Sequence, residues 1–153
     1  MRCVVQRVSR AEVRVDGEVT GSIERGMVVL VAFAPGDGEA ELAWMARKLP
    51  RLRMFNDEQG HINISLADTG GAILLVSQFT LYGDCRKGQR PSFIGSATPD
   101  HARQLYQRFG ELLRQEWSDV AEGIFAASME VDLVNDGPVT LILDRDAAAV
   151  EES

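Results

Sequence analysis

Apolar and polar positions partly alternate from the start of the chain. Val4, Val8, Val13 and Val15 punctuate Arg2 to Val15, which reads as one or two strands. Asp16-Gly17 supplies a hairpin turn and Glu18 to Ile23 the returning strand. Gly26 to Ala34 is continuously apolar, the pattern of a strand covered on both faces, and Pro35-Gly36-Asp37-Gly38 ends it. The period then changes. Leu42, Met45, Ala46 and Leu49 fall at i, i+3, i+4 and i+7, predicting a helix over 39–49 that Pro50 stops, with Trp44 at the edge of its stripe. Arg51 to Phe55 reads as a strand, Asn56 to Gly60 as a turn, and Ile62 and Ile64 as a brief alternation.

After Gly70-Gly71 a second apolar run begins, Leu74-Leu75-Val76, and then polar atoms appear where a buried strand should stay dry: Ser77, Gln78 and Thr80. Burying them without partners is costly. Either they satisfy one another and the backbone, or they line a pocket. Residues 83–96 form a polar, glycine-containing loop beside them, a common place for binding groups. Thr98-Pro99-Asp100 opens a helix running to about Trp117, with Ala102, Leu105, Tyr106, Phe109, Leu112 and Leu113 as its buried stripe and Thr98 as the capping hydroxyl. Two strands close the pattern, about 128–135 and 139–143, with Met129, Val131, Leu133 and Asn135 on one face of the first. Residues 1–144 thus read as a single domain, and 145–153 as an acidic, frayed tail. Strands outnumber helices without alternating with them, which predicts an α+β fold with a mainly antiparallel or mixed sheet.

Composition narrows the classes. The chain has 153 residues, 45% hydrophobic and 25% charged, ordinary for a soluble globular protein. No apolar run is long enough to span a membrane, and the N-terminus lacks an apolar leader segment; both favour a cytoplasmic protein. Cys3 and Cys85 match no metal or redox spacing and read as free thiols. His61 and His101 are the two histidines, and each reads as a surface residue. No metal site, no phosphate loop and no Gly-x-Ser-x-Gly elbow is present, so neither a metal nor any other cofactor is expected. The net charge of -7 leaves no room for a large phosphate-binding surface. It still permits a grip on a single-stranded RNA end through stacking and hydrogen bonds. Arg86, Lys87 and Arg90 cluster beside the Ser77 stretch, either as solvated surface or as such a contact; Arg47, Lys48, Arg51 and Arg53 form a second basic group.

Two stretches carry a resemblance. Ser77-Gln78-Phe79-Thr80-Leu81 and Asn135-Asp136-Gly137-Pro138-Val139-Thr140 match the Ser-Gln-x-x-Leu and Asn-x-Gly-Pro-x-Thr motifs of the D-aminoacyl-tRNA deacylases of the D-Tyr-tRNA deacylase type. Gln6-Arg7-Val8, Arg90-Pro91-Ser92-Phe93 and the run Phe125 to Met129 also fit, so the chain resembles that family over about residues 1–144. The resemblance implies a barrel-like β structure with outer helices, working as a homodimer on the 3′ end of aminoacyl-tRNA. It implies ester hydrolysis with Ser77, Gln78 and Thr80 as catalytic residues, and Phe79, Phe125 and Met129 lining the pocket. By pattern alone Phe125 and Met129 serve equally as core. Gly137 and Pro138 would enter the partner's active site and exclude L-amino acids through their carbonyls, braced by Arg7. The pattern alone takes the Gly137-Pro138 bond as trans, because only about 5–6% of such bonds are cis; the resemblance implies cis. With no histidine base at hand, catalysis would lean on positioning, oxyanion stabilisation and the ribose 2′-hydroxyl of the RNA, with Thr80 as nucleophile or water-positioning hydroxyl. A non-catalytic, dimeric binder of RNA ends is the competing expectation. A Ser or Thr esterase for small metabolites is a third, and it lacks a base.

Overall fold

The computed structural model describes residues 1–147. Its centre is one long strand, β1 (Arg2–Val15). Along its first half β1 pairs antiparallel with β3 (Gly26–Ala32), from Arg2↔Ala32 to Val8↔Gly26. Along its second half it pairs with β2 (Glu18–Ile23), from Ala11↔Ile23 to Val15↔Glu18. Its other edge pairs throughout with β8 (Glu130–Asp144), from Arg2↔Asp144 to Arg14↔Glu130. The sheet continues beyond β3 in parallel, through β6 (Ala72–Ser77) and β7 (Val120–Glu122). It then curls so far that a Cβ on Gly21 of β2 would meet the carbonyl oxygen of Glu122 at 2.7 Å. The result is a nearly closed mixed sheet in an α+β fold.

Side-chain alternation divides the core. Met27, Val29 and Val31 of β3 join Ile73 and Leu75 of β6 on the outer face. There they pack under α1 (Glu39–Lys48) and α3 (Pro99–Glu116), which contribute Leu42, Met45, Leu105, Phe109 and Leu113. Val28, Leu74 and Val76 point the other way, into the curl, with Val8, Val13 and Ile23. The two continuous apolar runs of the sequence are continuous because both faces of β3 and β6 are covered.

Several elements differ from the sequence-based expectation. Leu49–Arg51 forms a 3₁₀ turn around Pro50, and the only strand nearby is β4 (Phe55–Asn56), paired with β5 (Ile62–Ile64) in a separate two-stranded sheet. A one-turn helix, α2 (Leu66–Thr69), precedes β6, its first turn closed by Asp68 accepting from the Ser65 backbone and hydroxyl. Thr98 sits in extended backbone at the start of α3, but its hydroxyl makes no capping bond. The two closing strands are one strand, β8, interrupted in register opposite Gln6–Arg10. Of the expected tail, residues 148–153 lie outside the described residues. The Arg145 N–H donates to the Met1 carbonyl at 2.9 Å, and its guanidinium lies 4.9 Å from the centre of the Trp44 ring.

Candidate active site

The parallel register of β3 and β6 brings their C-terminal ends level, Val31 beside Ser77. The Gln78 N–H still donates to the Val31 carbonyl at 2.8 Å, and there the ladder stops. The chain turns into a 3₁₀ segment, Phe79–Tyr82, fixed by Leu81 N–H to Gln78 O and Gly83 N–H to Thr80 O. A largely apolar pocket of about 620 Å³ opens at this strand end. Its walls include Val31, Val76, Ser77, Gln78 and Phe79, the loop residues Phe93 to Thr98 except Gly95, the start of α3 at Pro99 and Ala102, the segment Phe125–Met129 except Ser128, and Val131 of β8. A pocket with a few convergent polar groups is the usual form of a ligand site.

The structure therefore brings Ser77, Gln78, Phe79, Phe125 and Met129 together. Ser77 and Gln78 are half-buried, so the polar atoms that looked misplaced in an apolar strand stand at its end, where they meet the pocket. Thr80 is exposed and outside the lining; its hydroxyl oxygen accepts from the Gln78 side-chain amide at 2.5 Å. Phe79 meets Phe93 edge-on, ring centres 5.3 Å apart. Phe125 is tilted against Tyr106 at 5.4 Å. Met129 packs where Gly123 has no side chain, since a Cβ there would come within 2.7 Å of its sulfur. Ala126 adopts a left-handed conformation, φ 64°, in the pocket wall, an uncommon state for a residue other than glycine. Phe93, Ile94 and Ala126 were not singled out as pocket residues from sequence. Phe93 and Ala126 fall in matching segments, and the glycine-containing loop is the signal for Phe93 and Ile94.

Gly137 and Pro138 lie elsewhere. Both are exposed, neither lines the pocket of its own chain, and the bond between them is cis. The motif holds itself in place. The Asn135 carboxamide oxygen accepts from the Val139 N–H at 3.0 Å, and its nitrogen donates to the Thr140 hydroxyl at 3.0 Å. Arg7, only 6% exposed, donates to the Asp136 carbonyl at 3.0 Å, the Met54 carbonyl at 3.1 Å and the Asn56 side chain at 2.9 Å. Three bonds from a buried guanidinium tie this loop to the stretch 54–56 from below. The Asn and Thr of the motif thus have a structural duty that spacing alone did not reveal.

The electrostatics are spare. Among the described residues no ionisable side chain lines the pocket. His61 is exposed beside β5, and His101 is half-buried in the first turn of α3. In the neighbouring loop the Arg86 side chain and N–H bond Asp84, holding its carboxyl down at about 2. Arg86 is thereby neutralised, while Lys87 and Arg90 are exposed. Burial pushes the Cys3 thiol up, out of reactive range, and Cys85 is exposed. Among the described residues no group of three His, Cys, Asp or Glu is placed to hold a metal ion. No described helix is long and apolar enough to cross a membrane.

Comparison with known proteins gives a consistent family. A D-aminoacyl-tRNA deacylase of Thermus aquaticus is 54% identical over 144 residues, 94% of this chain and 95% of that protein. One from Geobacter metallireducens is 53% identical over 148 residues, 97% and 98% of the two chains. Among solved structures, the c-Myc DNA Unwinding Element Binding Protein superposes with TM-score 0.91 at 42% identity, covering 96% of this chain and all of that one. A probable eukaryotic D-amino acid tRNA deacylase shares the fold, with TM-score 0.81 at 19% identity over 94% and 98% of the chains. The family model described as D-Tyr-tRNA(Tyr) deacylase matches residues 4–144, and the chain belongs to that family.

Proposed function

We propose that this protein hydrolyses the ester of D-aminoacyl-tRNA, releasing free D-amino acid and tRNA. The observation that carries the reading is the apolar pocket ending on Ser77 and Gln78, in a chain whose relatives are named for this reaction. A pocket lined by no ionisable side chain suits a reaction that needs positioning more than acid–base work. Ser77 and Gln78 hold the acyl ester and stabilise the oxyanion that forms when water attacks its carbonyl carbon. The Thr80 hydroxyl, bonded to Gln78, orients that water or that amide. The 2′-hydroxyl of the terminal ribose assists the water, so the RNA supplies chemistry that the protein lacks. Phe79, Phe125 and Met129 enclose the acyl and nucleoside groups. Such a reaction belongs to the cytoplasm, where charged tRNA is used.

Selection for the D form is assigned to the carbonyls of Gly137 and Pro138. Because they lie off the pocket of their own chain, they act in the pocket of a second copy, occupying the space an L side chain needs. A homodimer is supported by β8, which among the described residues pairs with β1 alone and exposes Val131, Val134, Leu141 and Ile142. An open strand edge with apolar side chains invites pairing. Sedimentation showing only a 16.8 kDa species with full activity would refute the shared site.

A second reading has one observation behind it. The c-Myc DNA Unwinding Element Binding Protein is named for binding nucleic acid, and it is 42% identical. On that reading the chain is a dimer that grips a nucleic-acid end without cleaving an ester. Incubation with D-tyrosyl-tRNA separates the two: release of tyrosine supports hydrolysis, and binding without release supports the second.

A further inference from the structure

Against one of the pocket's lining residues lies a cation that the fold leaves without a carboxylate. Arg103 lies on the exposed side of α3, next to Ala102, which lines the pocket. Its guanidinium carbon sits 4.9 Å from the centre of the Phe125 ring, and Phe125 is itself part of the wall. The other arginines of α3 are differently placed. Arg108 bonds Glu39 and Glu111, and Arg114 bonds Glu122. Among the described residues Arg103 has no such partner. A guanidinium laid on an aromatic face keeps the N–H donors at its edge free, and it is less mobile than a cation on a bare stem.

Charge makes this placement matter. At net charge -7 the protein as a whole repels a polyanion, so any gain from phosphate contact must be local. Arg86 on the neighbouring loop is already matched by Asp84. Lys87 and Arg90 are exposed but outside the pocket lining. Arg103 is also outside the lining, but among the described residues it is the unpaired cation stacked on a residue that does line it, Phe125. An acylated RNA end seated with its ester at Ser77 and Gln78 must run its backbone out through the mouth, and its first phosphodiester leaves from the terminal nucleoside inside.

We propose that Arg103, held on the ring of Phe125, binds the phosphodiester on the 5′ side of the terminal nucleoside. This rests on the deacylase reading above and adds a residue to it. The contact is indifferent to sequence and to the amino acid. Its role is to give the pocket a preference for the end of an RNA chain over a free aminoacyl nucleoside.

The test compares two substrates, D-tyrosyl-tRNA and the D-tyrosyl ester of adenosine, which has no phosphate. For Arg103→Gln we expect kcat/KM on the tRNA to fall roughly tenfold, through KM, as for loss of a charge-assisted hydrogen bond. Hydrolysis of the nucleoside ester should keep the parent rate. The slope of log(kcat/KM) against log salt should become shallower by about 0.7 on the tRNA, the value of one phosphate contact on a single strand. Arg103→Lys should recover part of the loss. Equal losses on both substrates would make Arg103 a support for Phe125 only and overturn the proposal, as would an unchanged salt slope. A parent protein that cleaves neither substrate overturns the deacylase reading; a parent that cleaves both while Arg103→Gln behaves like it overturns this inference alone.

Discussion

The side-chain amide of Gln78 donates to the hydroxyl oxygen of Thr80 at 2.5 Å, across the turn that ends β6. Ser77 and Gln78 line the pocket and Thr80 does not. Ser77→Ala and Gln78→Ala should therefore each cost about 1–3 kcal/mol of transition-state stabilisation, the penalty for an unmatched polar partner, with the fold intact. Thr80→Ala should cost less than Gln78→Ala. Single-turnover deacylation with circular dichroism on the same samples checks this. Parent rates for both Ser77→Ala and Gln78→Ala would move the active site elsewhere, and near-complete loss in Thr80→Ala would make its hydroxyl the nucleophile.

The same turn is tied to the far end of the sheet. Arg2 donates to the Leu81 carbonyl at 2.9 Å and to the Asp144 carboxylate at 2.7 Å, and its guanidinium carbon sits 5.2 Å from the centre of the Tyr82 ring. The ion pair is half-exposed, so its contribution to stability is below about 1 kcal/mol. Arg2→Ala should barely move the urea midpoint yet lower turnover several-fold, because the turn bearing Gln78 and Thr80 loses its anchor. Arg2→Lys keeps the charge but not the fork geometry and should recover little. A turnover loss no larger than that of an exposed control such as Arg47→Ala would show that the turn holds itself.

The reach of sequence reasoning follows from what each element depends on. The helices α1 and α3 were legible because each carries a single apolar stripe, and β3 and β6 because both faces are covered. The three residues of β7 form a strand only because β6 lies beside them, information no local pattern holds. Asn135-Asp136-Gly137-Pro138 reads as a turn between strands. It became an interruption within one strand because Arg7, 129 positions away, holds the Asp136 carbonyl. The candidate site divides the same way. Ser77 and Gln78 announce themselves as polar atoms in an apolar run, whereas Ile94 joins the wall only through the folded path of its loop.

The two tyrosines of the chain give a built-in probe of the fold. Tyr82 and Tyr106 each bury a hydroxyl that, among the described residues, meets no partner at good hydrogen-bond geometry. Burial raises both above the ordinary value of 10.0, with the negative charges of Asp37 and Glu122 adding to it. A folded-state value above the unfolded one contributes stability that is complete below pH ~10 and is lost as pH rises beyond it. Tyrosinate absorbance should therefore stay absent through pH 10 and appear together with unfolding, in one transition. A simple titration at pH ~10 with native circular dichroism retained would show that either ring is open to water.

Glycine tests how handedness is judged. Suppose the carbonyls of Gly137 and Pro138 select by occupying the space of an L side chain. Such a filter is steric and acts at one position around the α-carbon. It adds no attraction for a D side chain. Glycine carries hydrogen at both positions and presents nothing to exclude. Glycyl-tRNA should then be hydrolysed, while L-tyrosyl-tRNA is spared. A site that instead gripped the D side chain would lose glycine, because the missing contacts weaken transition-state binding. The measurement is deacylation of D-tyrosyl-, L-tyrosyl- and glycyl-tRNA under one condition. If glycyl-tRNA is as inert as the L-tyrosyl form, rejection alone does not explain selection, even where D-tyrosyl-tRNA is cleaved. If it is cleaved, correctly made glycyl-tRNA is exposed to the same filter, and a cell using this protein needs some other factor to shelter it.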